Sequence, residues 1–152
     1  MERPRILLLV GLPASGKSTW ASQQGLPVLS SDEIRRLLLD DVTDQRWNRR
    51  VFQLLRNLLK QRIEAGRPVT CVDATHLTRA ERRPYLAIAE IYGCEVEAVY
   101  FDVPLPVCKA RNNARSRVVP EDVMDRMASR LVAPSIEEGF DKVIVIKAEA
   151  SL

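Results

Sequence analysis

Short apolar runs alternate along the chain with longer stretches of helical periodicity. Strands alternating with helices are typical of a parallel sheet covered by helices, so the pattern predicts an α/β fold. The first and last apolar runs are continuously apolar, which predicts strands buried on both faces. The predicted strands are Arg5–Val10, Pro27–Ser30, Val69–Val72, Glu95–Phe101 and Val143–Lys147.

The segments between these runs predict helices. Apolar residues at helical spacing indicate one long helix that opens at Thr43-Asp44 and ends before Gly66. Thr78-Arg79-Ala80-Glu81 has the form of a capping box, in which threonine and glutamate satisfy the first free amides of a helix running to Gly93. Further helices are expected from Gly16, over 33–39, from Pro104 toward Arg111, and from Pro120.

Length and composition indicate one globular domain over residues 1–152. The chain is 46% hydrophobic and 28% charged, which is close to the globular average. Its net charge of +3 is too small to establish a polyanionic partner, although 18 of the 23 basic residues are arginines, which suit phosphate. Three widely spaced cysteines favour reduced, buried thiols, and without a membrane-spanning run we expect a cytoplasmic protein.

The segment Gly11–Thr19 fits the phosphate-binding pattern GxxxxGK[ST], between an apolar strand and a predicted helix. Its glycines allow consecutive amides to turn around an anion, and the helix N-terminus adds partial positive charge. A plain glycine-rich turn is the alternative. We expect Lys17 to reach the β- and γ-phosphates and Ser18 to ligate Mg²⁺. The predicted nucleotide contacts are Gly11, Pro13, Ala14, Ser15, Gly16, Lys17, Ser18 and Thr19.

Two carboxylates follow predicted strands, at the edge of the sheet where ligands bind. Asp32 could accept the proton of an attacking hydroxyl, and we also predict it as a Mg²⁺ ligand with Ser18; a helix N-cap is the alternative. Asp73 could hold Mg²⁺, position the acceptor, or form an Asx-turn. Thr75 and His76 follow in the same loop, where we expect His76 to be a positioning residue or an ordinary loop residue rather than a base.

Arg111, Arg115 and Arg117 form a cluster with no acidic residue between positions 111 and 119. Arg111 and Arg115 would share a helix face if the helix persists. Arginines that close over a nucleotide neutralise charge during phosphoryl transfer, whereas a solvated helix end is the alternative. No guanine-binding NKxD motif is present. The pattern favours a small kinase with a mobile lid, in which Lys17, Asp32 and Arg115 are catalytic.

Several segments together resemble the 5′-kinase domain of phage and bacterial polynucleotide kinases, within the P-loop phosphotransferases. They are GLPASGKSTW at 11–20, SDEIR at 31–35, VDATHL at 72–77 with ERR at 81–83, and FDVP at 101–104 with KARN at 109–112. The resemblance implies a P-loop NTPase fold. Its expected form is a central, mostly parallel sheet of about five strands flanked by helices, with a short arginine-bearing lid.

The resemblance also implies roles for individual residues. Asp32 becomes the general base for a 5′-hydroxyl, and Arg35 binds the acceptor's phosphate. Arg111 and Arg115 become phosphate and nucleotide contacts. The resemblance places Asp73 and Thr75 on the acceptor side. His76 stands where the family has asparagine, and this difference leaves the acceptor's identity open. The implied reaction uses ATP and Mg²⁺. The Glu138–Asp141 segment looks like a motif of related ATP-binding proteins, and a packing loop is its simplest interpretation.

A polynucleotide acceptor requires a cationic track, and the chain offers arginines for one. With only 5% aromatic residues, a long base-stacking platform is not expected, and Trp47 and Tyr85 should pack in the core or groove. Two alternatives stay open. One is a small-molecule kinase acting on a sugar, nucleoside or antibiotic, and the other is an ATP-binding regulatory module without transfer. The track residues are Arg35, Arg79, Arg82 and Arg83, with Arg46, Arg49 and Arg50 further out.

Overall fold

Five parallel strands form the sheet in the computed structural model, which describes residues 3–148. The strand order is β2-β3-β1-β4-β5, and every neighbouring pair runs parallel. Each predicted strand is confirmed to within a residue at either end, and so is the α/β class. The strands are β1 (Arg5–Val10), β2 (Val28–Ser30), β3 (Val69–Asp73), β4 (Glu95–Asp102) and β5 (Lys142–Lys147).

Helices cover both faces of the sheet because alternate side chains of β1 point in opposite directions. Ile6 and Leu8 join a core with α2, α3 and α4, whereas Leu7 and Leu9 join a second core with α1, α5 and α6. None of the helices in residues 3–148 is long and apolar enough to cross a membrane. The helices are α1 (Lys17–Gln23), α2 (Ser31–Leu39), α3 (Asn48–Glu64), α4 (Arg79–Tyr92), α5 (Leu105–Asn113) and α6 (Glu121–Arg130).

The long helix α3 begins at Asn48, so the prediction that it opens at Thr43-Asp44 is wrong. Two carboxylates bond nearby amides instead. Asp41 accepts from the Thr43 amide at 2.9 Å, and Asp44 accepts from the Arg46 amide at 3.0 Å. Such bonds compete with helix formation, which explains the late start.

The last strand, β5, lies at the edge of the sheet rather than inside it. It pairs only with β4 in the described sheet, and Val145 is 49% exposed. The expectation of burial on both faces is therefore wrong for β5. It is confirmed for β1, where every residue from Ile6 to Val10 is buried. A continuous apolar run does not distinguish a central strand from an edge strand.

Side chains at two helix N-termini differ in part from the prediction. Thr78 Oγ1 accepts from the Glu81 amide as expected, but Glu81 Oε2 accepts from the Leu77 amide, so the capping box is only half formed. The N-cap of α2 is Ser30, whose hydroxyl accepts from the Glu33 amide. Asp32 therefore lies in the first turn of α2 and is free of the capping role.

A buried ion pair fixes the segment before β5. The Arg82 guanidinium is fully buried and makes two bonds to Glu138, at 2.9 and 3.0 Å. Its Nη1 also donates to the carbonyls of His76, Leu77 and Val132. Arg82 is thus a structural residue, and its prediction as part of a cationic track is wrong.

The Glu138–Asp141 segment packs against the sheet. Glu138 ends a 3₁₀ turn (Ile136–Glu138), Phe140 is buried in the core, and an Asp141 carboxylate oxygen accepts from the Val96 amide at 2.8 Å. These contacts support the interpretation as a packing loop.

The three cysteines are free and buried, as the sequence predicts. Burial raises the pKa of Cys71 to about 12 and also raises the pKa of Cys94 and Cys108. Because the thiolate is the reactive form, these groups are inert at neutral pH.

Replacing Glu138 by alanine should lower the free energy of unfolding by about 3–5 kcal/mol, because it leaves the Arg82 charge buried without its partner. Urea unfolding measures the change. Glu137→Ala is the matched control, since Glu137 is exposed in the same turn and should lose little. Equal losses in the two variants would contradict the structural role of the pair.

Candidate functional site

A large cleft lies at the carboxyl edge of the sheet. Its volume is about 1420 Å³, above the range of ~300–1000 Å³ usual for a small-molecule pocket. Its lining includes the phosphate loop, one face of α3 and the loop after β3. The cleft therefore has room for two substrates side by side.

The two glycines of the phosphate loop differ in what they allow. Gly16 has φ 102° and serves as N-cap of α1 without a side-chain cap bond, so helix amides are available to an anion. Gly11 does not have a positive φ, and glycine suits this position because a Cβ would lie 2.8 Å from Ser15 Oγ and 3.1 Å from Phe101 Cβ. The Gly11 amide also donates to the Thr75 carbonyl at 3.0 Å. This bond ties the loop to the segment after β3.

Lys17 lies inside the phosphate loop. Its ammonium donates to the Gly11 and Leu12 carbonyls at 3.0 and 2.7 Å. Burial lowers the pKa of Lys17 to about 8, against smaller opposing effects of Asp73 and other groups. The side chain is still mostly protonated at pH 7 and keeps a positive charge at the centre of the loop.

Ser18 and Asp73 meet at the base of the cleft. Ser18 Oγ donates to Asp73 Oδ2 at 2.6 Å. Asp73 is buried at the end of β3, which pairs directly with β1. A hydroxyl and a carboxylate oxygen are hard ligands of the kind that Mg²⁺ prefers, with its remaining positions left for water and phosphates. The pair fits a Mg²⁺ site, whereas the role of Asp32 as a Mg²⁺ ligand stays a prediction.

Asp32 is held by arginines from two directions. Its Oδ1 accepts from Arg35 Nη1 at 3.0 Å, and its Oδ2 accepts from Arg117 Nη1 at 2.7 Å. Arg35 is itself buried and donates to Asn48 Oδ1 at 2.6 Å. The carboxylate is half exposed in the cleft, at 53% of its side chain. Its position is thus fixed while its oxygens stay accessible.

Arg111 in the last turn of α5, and Arg115 and Arg117 in the segment after it, line the same cleft. Arg111 Nη1 lies 3.5 Å from the Ser15 carbonyl, and Arg115 Nη2 donates to Asn112 Oδ1 at 3.1 Å. Asn112 also bonds both backbone groups of Val119, which closes the loop between them. Because α5 ends at Asn113, Arg111 and Arg115 do not share a helix face.

Arg117 was part of the predicted arginine cluster, but the sequence suggested no separate role for it. Its ion pair with Asp32 joins the segment between α5 and α6 to α2. The absence of acidic residues from 111–119 was the available indication of this ion pair, because an arginine of that segment can pair only with a carboxylate outside it. Which member would reach Asp32 depends on the loop conformation.

His76 is buried in the loop after β3, next to Thr75. Its Nδ1 lies 2.6 Å from the Leu9 carbonyl, so Nδ1 carries the proton and Nε2 does not. Burial lowers the pKa of His76 to about 4, and the ring packs edge-on against Tyr85. These features favour a positioning role. Contact of Thr75 or His76 with the acceptor stays a prediction.

Helix α3 adds further groups to the cleft, of which the sequence had assigned only Arg49, to the outer part of a cationic track. One of its faces presents polar and aromatic side chains to the cleft. These residues lie at spacings of three and four positions, which indicates a shared helix face. The helix itself was predicted from its apolar residues alone. The cleft residues of α3 are Asn48, Arg49, Phe52 and Arg56.

The sequence matches the family model AAA_33, described as an AAA domain, over residues 6–134. The chain belongs to this family. The chain is also similar to two curated relatives. The L-seryl-tRNA(Sec) kinase of Methanococcus maripaludis is 24% identical over 90% of this chain and 56% of its own length. The bifunctional polynucleotide phosphatase/kinase of Schizosaccharomyces pombe is 26% identical over 93% and 33%. The AAA_33 chain thus spans a third to just over half of these relatives.

Solved structures share the fold of this AAA_33 chain. A chain of the Pnkp1/Rnl/Hen1 RNA repair complex aligns with a TM-score of 0.73, at 18% identity, over 86% of this chain and 45% of that one. The APS kinase CysC of Mycobacterium tuberculosis, solved with AMPPNP and APS, aligns with a TM-score of 0.62, at 19% identity, over 98% and 92%. The resemblance to a P-loop kinase domain is therefore confirmed, together with its parallel sheet.

The buried His76 should make stability depend on pH. Its ordinary pKa of 6.5 falls to about 4 on folding, so the unfolded chain binds more protons between these values and acid favours unfolding. Between pH 7 and pH 5 the wild-type protein should lose ~2 kcal/mol more unfolding free energy than His76→Asn. Urea unfolding at both pH values measures this difference. Identical pH dependence in the two proteins would show that His76 is not the titrating group.

Proposed function

We propose that this chain is an ATP-dependent kinase that moves the γ-phosphoryl group of ATP to a hydroxyl, and that its acceptor is the 5′-hydroxyl of a polynucleotide. The observation that carries the proposal is the placement of the Asp32 carboxylate in the same cleft as the phosphate loop. The kinase names of the relatives support it. Nucleotide binding alone does not require a positioned base beside the phosphates.

In the proposed reaction, the phosphate loop holds the nucleotide. Loop amides and the Lys17 ammonium bind the β- and γ-phosphate oxygens. Ser18 and Asp73 would hold Mg²⁺, which supplies charge neutralisation on those oxygens when bound. Arg111 lies close enough to the loop to contact the nucleotide as well.

Asp32 acts as general base in direct, in-line transfer. The acceptor oxygen forms a bond to the γ-phosphorus while the bond to the β,γ-bridging oxygen breaks, and ADP leaves with that electron pair. The acceptor proton moves to Asp32, whose oxygens each keep a lone pair beside the arginine bonds. Arg115 and Arg117 then balance charge on the transferring group.

The part of the cleft around α3, here called the acceptor half, suits a phosphate-bearing substrate. Arg35, Arg49 and Arg56 line it, and guanidinium groups suit phosphate. One curated relative is named a polynucleotide phosphatase/kinase and the other an L-seryl-tRNA(Sec) kinase, so both names include a polynucleotide in the substrate. A small-molecule acceptor is the second candidate, favoured by the full-length structural likeness to an APS kinase of similar size.

Transfer of the labelled γ-phosphate of ATP separates these candidates. We expect label on 5′-hydroxyl oligonucleotides and none on a panel of sugars, nucleosides and aminoglycosides. Label only on a metabolite would replace the polynucleotide acceptor with the second candidate. ATP binding without transfer to any acceptor would favour a regulatory module and contradict the kinase.

Asp32→Asn should lower turnover by roughly 100-fold or more, because an amide cannot accept the proton. The affinity for ATP should stay within a few-fold, since Asp32 does not contact the phosphate loop. Steady-state kinetics and equilibrium ATP binding measure the two effects. Glu33→Gln is the control, as the neighbouring carboxylate points to Arg36 on the surface. Unchanged turnover in Asp32→Asn would remove the base assignment.

Asp73→Asn should raise the Mg²⁺ concentration at half-maximal rate by about 10-fold or more, because it weakens one charged oxygen of the proposed site. A Mg²⁺ titration at fixed ATP measures this. Asp102→Asn provides the matched control, since Asp102 also ends a strand but is exposed and lies outside the cleft lining. The same Mg²⁺ dependence in both variants would argue against Asp73 as part of the site.

A further inference from the structure

Helix α3 presents three different surfaces. Val51, Leu55 and Leu59 are buried in the core. A second face lines the acceptor half of the cleft, as described above. The third face lines a separate outer groove of about 510 Å³, together with Leu38 of α2. The other residues of this groove are Trp47, the N-cap of α3, and Arg50, Gln53, Leu54 and Asn57 within the helix.

An indole stands exposed at the start of this groove. Trp47 is 42% exposed and lines this groove, which is one of the two places where the sequence predicts it to pack, and Leu54 of the same groove is 41% exposed. The Arg50 guanidinium lies over the Trp47 ring, 4.3 Å from its centroid. An exposed aromatic ring beside a guanidinium binds a nucleobase by stacking and its phosphate by charge.

The charge of this surface is positive and locally unbalanced. From Asn48 to Ile63, α3 contains no acidic residue. The neighbouring Arg36 and Arg46 are paired with Glu33 and Asp44. Among residues 3–148, by contrast, no carboxylate forms an ion pair with Arg49 or Arg50. Both side chains are exposed. They complement a polyanion rather than a neutral or cationic partner.

Arg49 connects the cleft to the outer groove. It lines the cleft together with Phe52 and precedes Arg50 by one residue. At 100° per residue, the direction of Arg49 around the helix falls between the cleft face and the groove face. A chain that leaves the acceptor half of the cleft therefore meets Arg49 first and the groove next.

We propose that Trp47, Arg49 and Arg50, here called the α3 ridge, bind the single strand that follows the 5′-terminal nucleotide of the acceptor. Trp47 stacks on a base, and the two arginines contact backbone phosphates. The inference rests on the polynucleotide acceptor proposed above. Stacking accepts any base, so the ridge increases affinity without selecting a sequence.

The test compares long and short acceptors in three variants. Trp47→Leu and Arg50→Gln each alter the ridge outside the cleft lining, and Arg67→Gln makes the same charge change at an exposed site elsewhere. Steady-state kinetics are measured with 5′-hydroxyl thymidine and uridine decamers and with the matching dinucleotides. We expect Trp47→Leu and Arg50→Gln to raise KM for the decamers by about 10-fold. Their kcat, and KM for the dinucleotides, should equal those of Arg67→Gln.

Two direct readouts accompany the kinetics. Decamer binding should quench the fluorescence of the wild-type protein, and Trp47→Leu should lose that quenching. Arg50→Gln should also reduce the dependence of log KM on log salt by about 0.7, the slope for one phosphate contact on a single strand. The fluorescence readout requires no ATP and no turnover.

The outcomes separate the ridge from the kinase itself. The ridge is overturned if KM for the decamers equals KM for the dinucleotides in the wild type and in every variant, and if Trp47→Leu keeps the fluorescence quenching. That result leaves the kinase proposal intact. Such a result is also the one expected if another protein segment covers this face. Absence of transfer to decamers and dinucleotides alike overturns the polynucleotide acceptor, and the ridge with it.

Discussion

The pairing of β1 with β3 is the constraint on which the site depends. Leu7 lies opposite Cys71 and Leu8 opposite Val72, so the two strands end at nearly the same height. The phosphate loop that follows β1 therefore meets the carboxylate that ends β3. The Gly11–Thr75 backbone bond and the Ser18–Asp73 contact are the direct results. A shift of this register would separate the loop from its acid.

Arginines organise the rest of the cleft by holding carboxylates and carbonyls in place. Arg82 has a structural role, because its hydrogen bonds to Glu138 and to three backbone carbonyls fix the loop after β3. Arg35 and Arg117 instead hold Asp32, which keeps an accessible carboxylate beside the loop that binds phosphate. The same residue type thus stabilises the fold at position 82 and, in the function we propose, positions a carboxylate and balances charge in the cleft.

Much of the site is predictable because it is local in sequence. The phosphate loop needs only its own glycines and the strand and helix beside it, and the positions of Asp32 and Asp73 follow from strand ends. Contacts between distant segments are not predictable in this way. The burial of Arg82 depends on Glu138, 56 positions away, and the pairing of Arg117 with Asp32 depends on a loop closed by Asn112. Hydrogen bonds from the Thr43 and Arg46 amides to Asp41 and Asp44 compete with the helix, so α3 begins later than the spacing of apolar residues indicates.

The central claim is that one cleft brings a triphosphate and an alcohol together at Asp32. A crystal structure with a non-hydrolysable ATP analogue, Mg²⁺ and a short 5′-hydroxyl oligonucleotide tests it most directly. The account predicts the terminal hydroxyl within hydrogen-bond distance of an Asp32 oxygen and in line with the γ-phosphorus. A terminal hydroxyl bound away from Asp32, or a triphosphate bound outside the loop at 11–19, would contradict it.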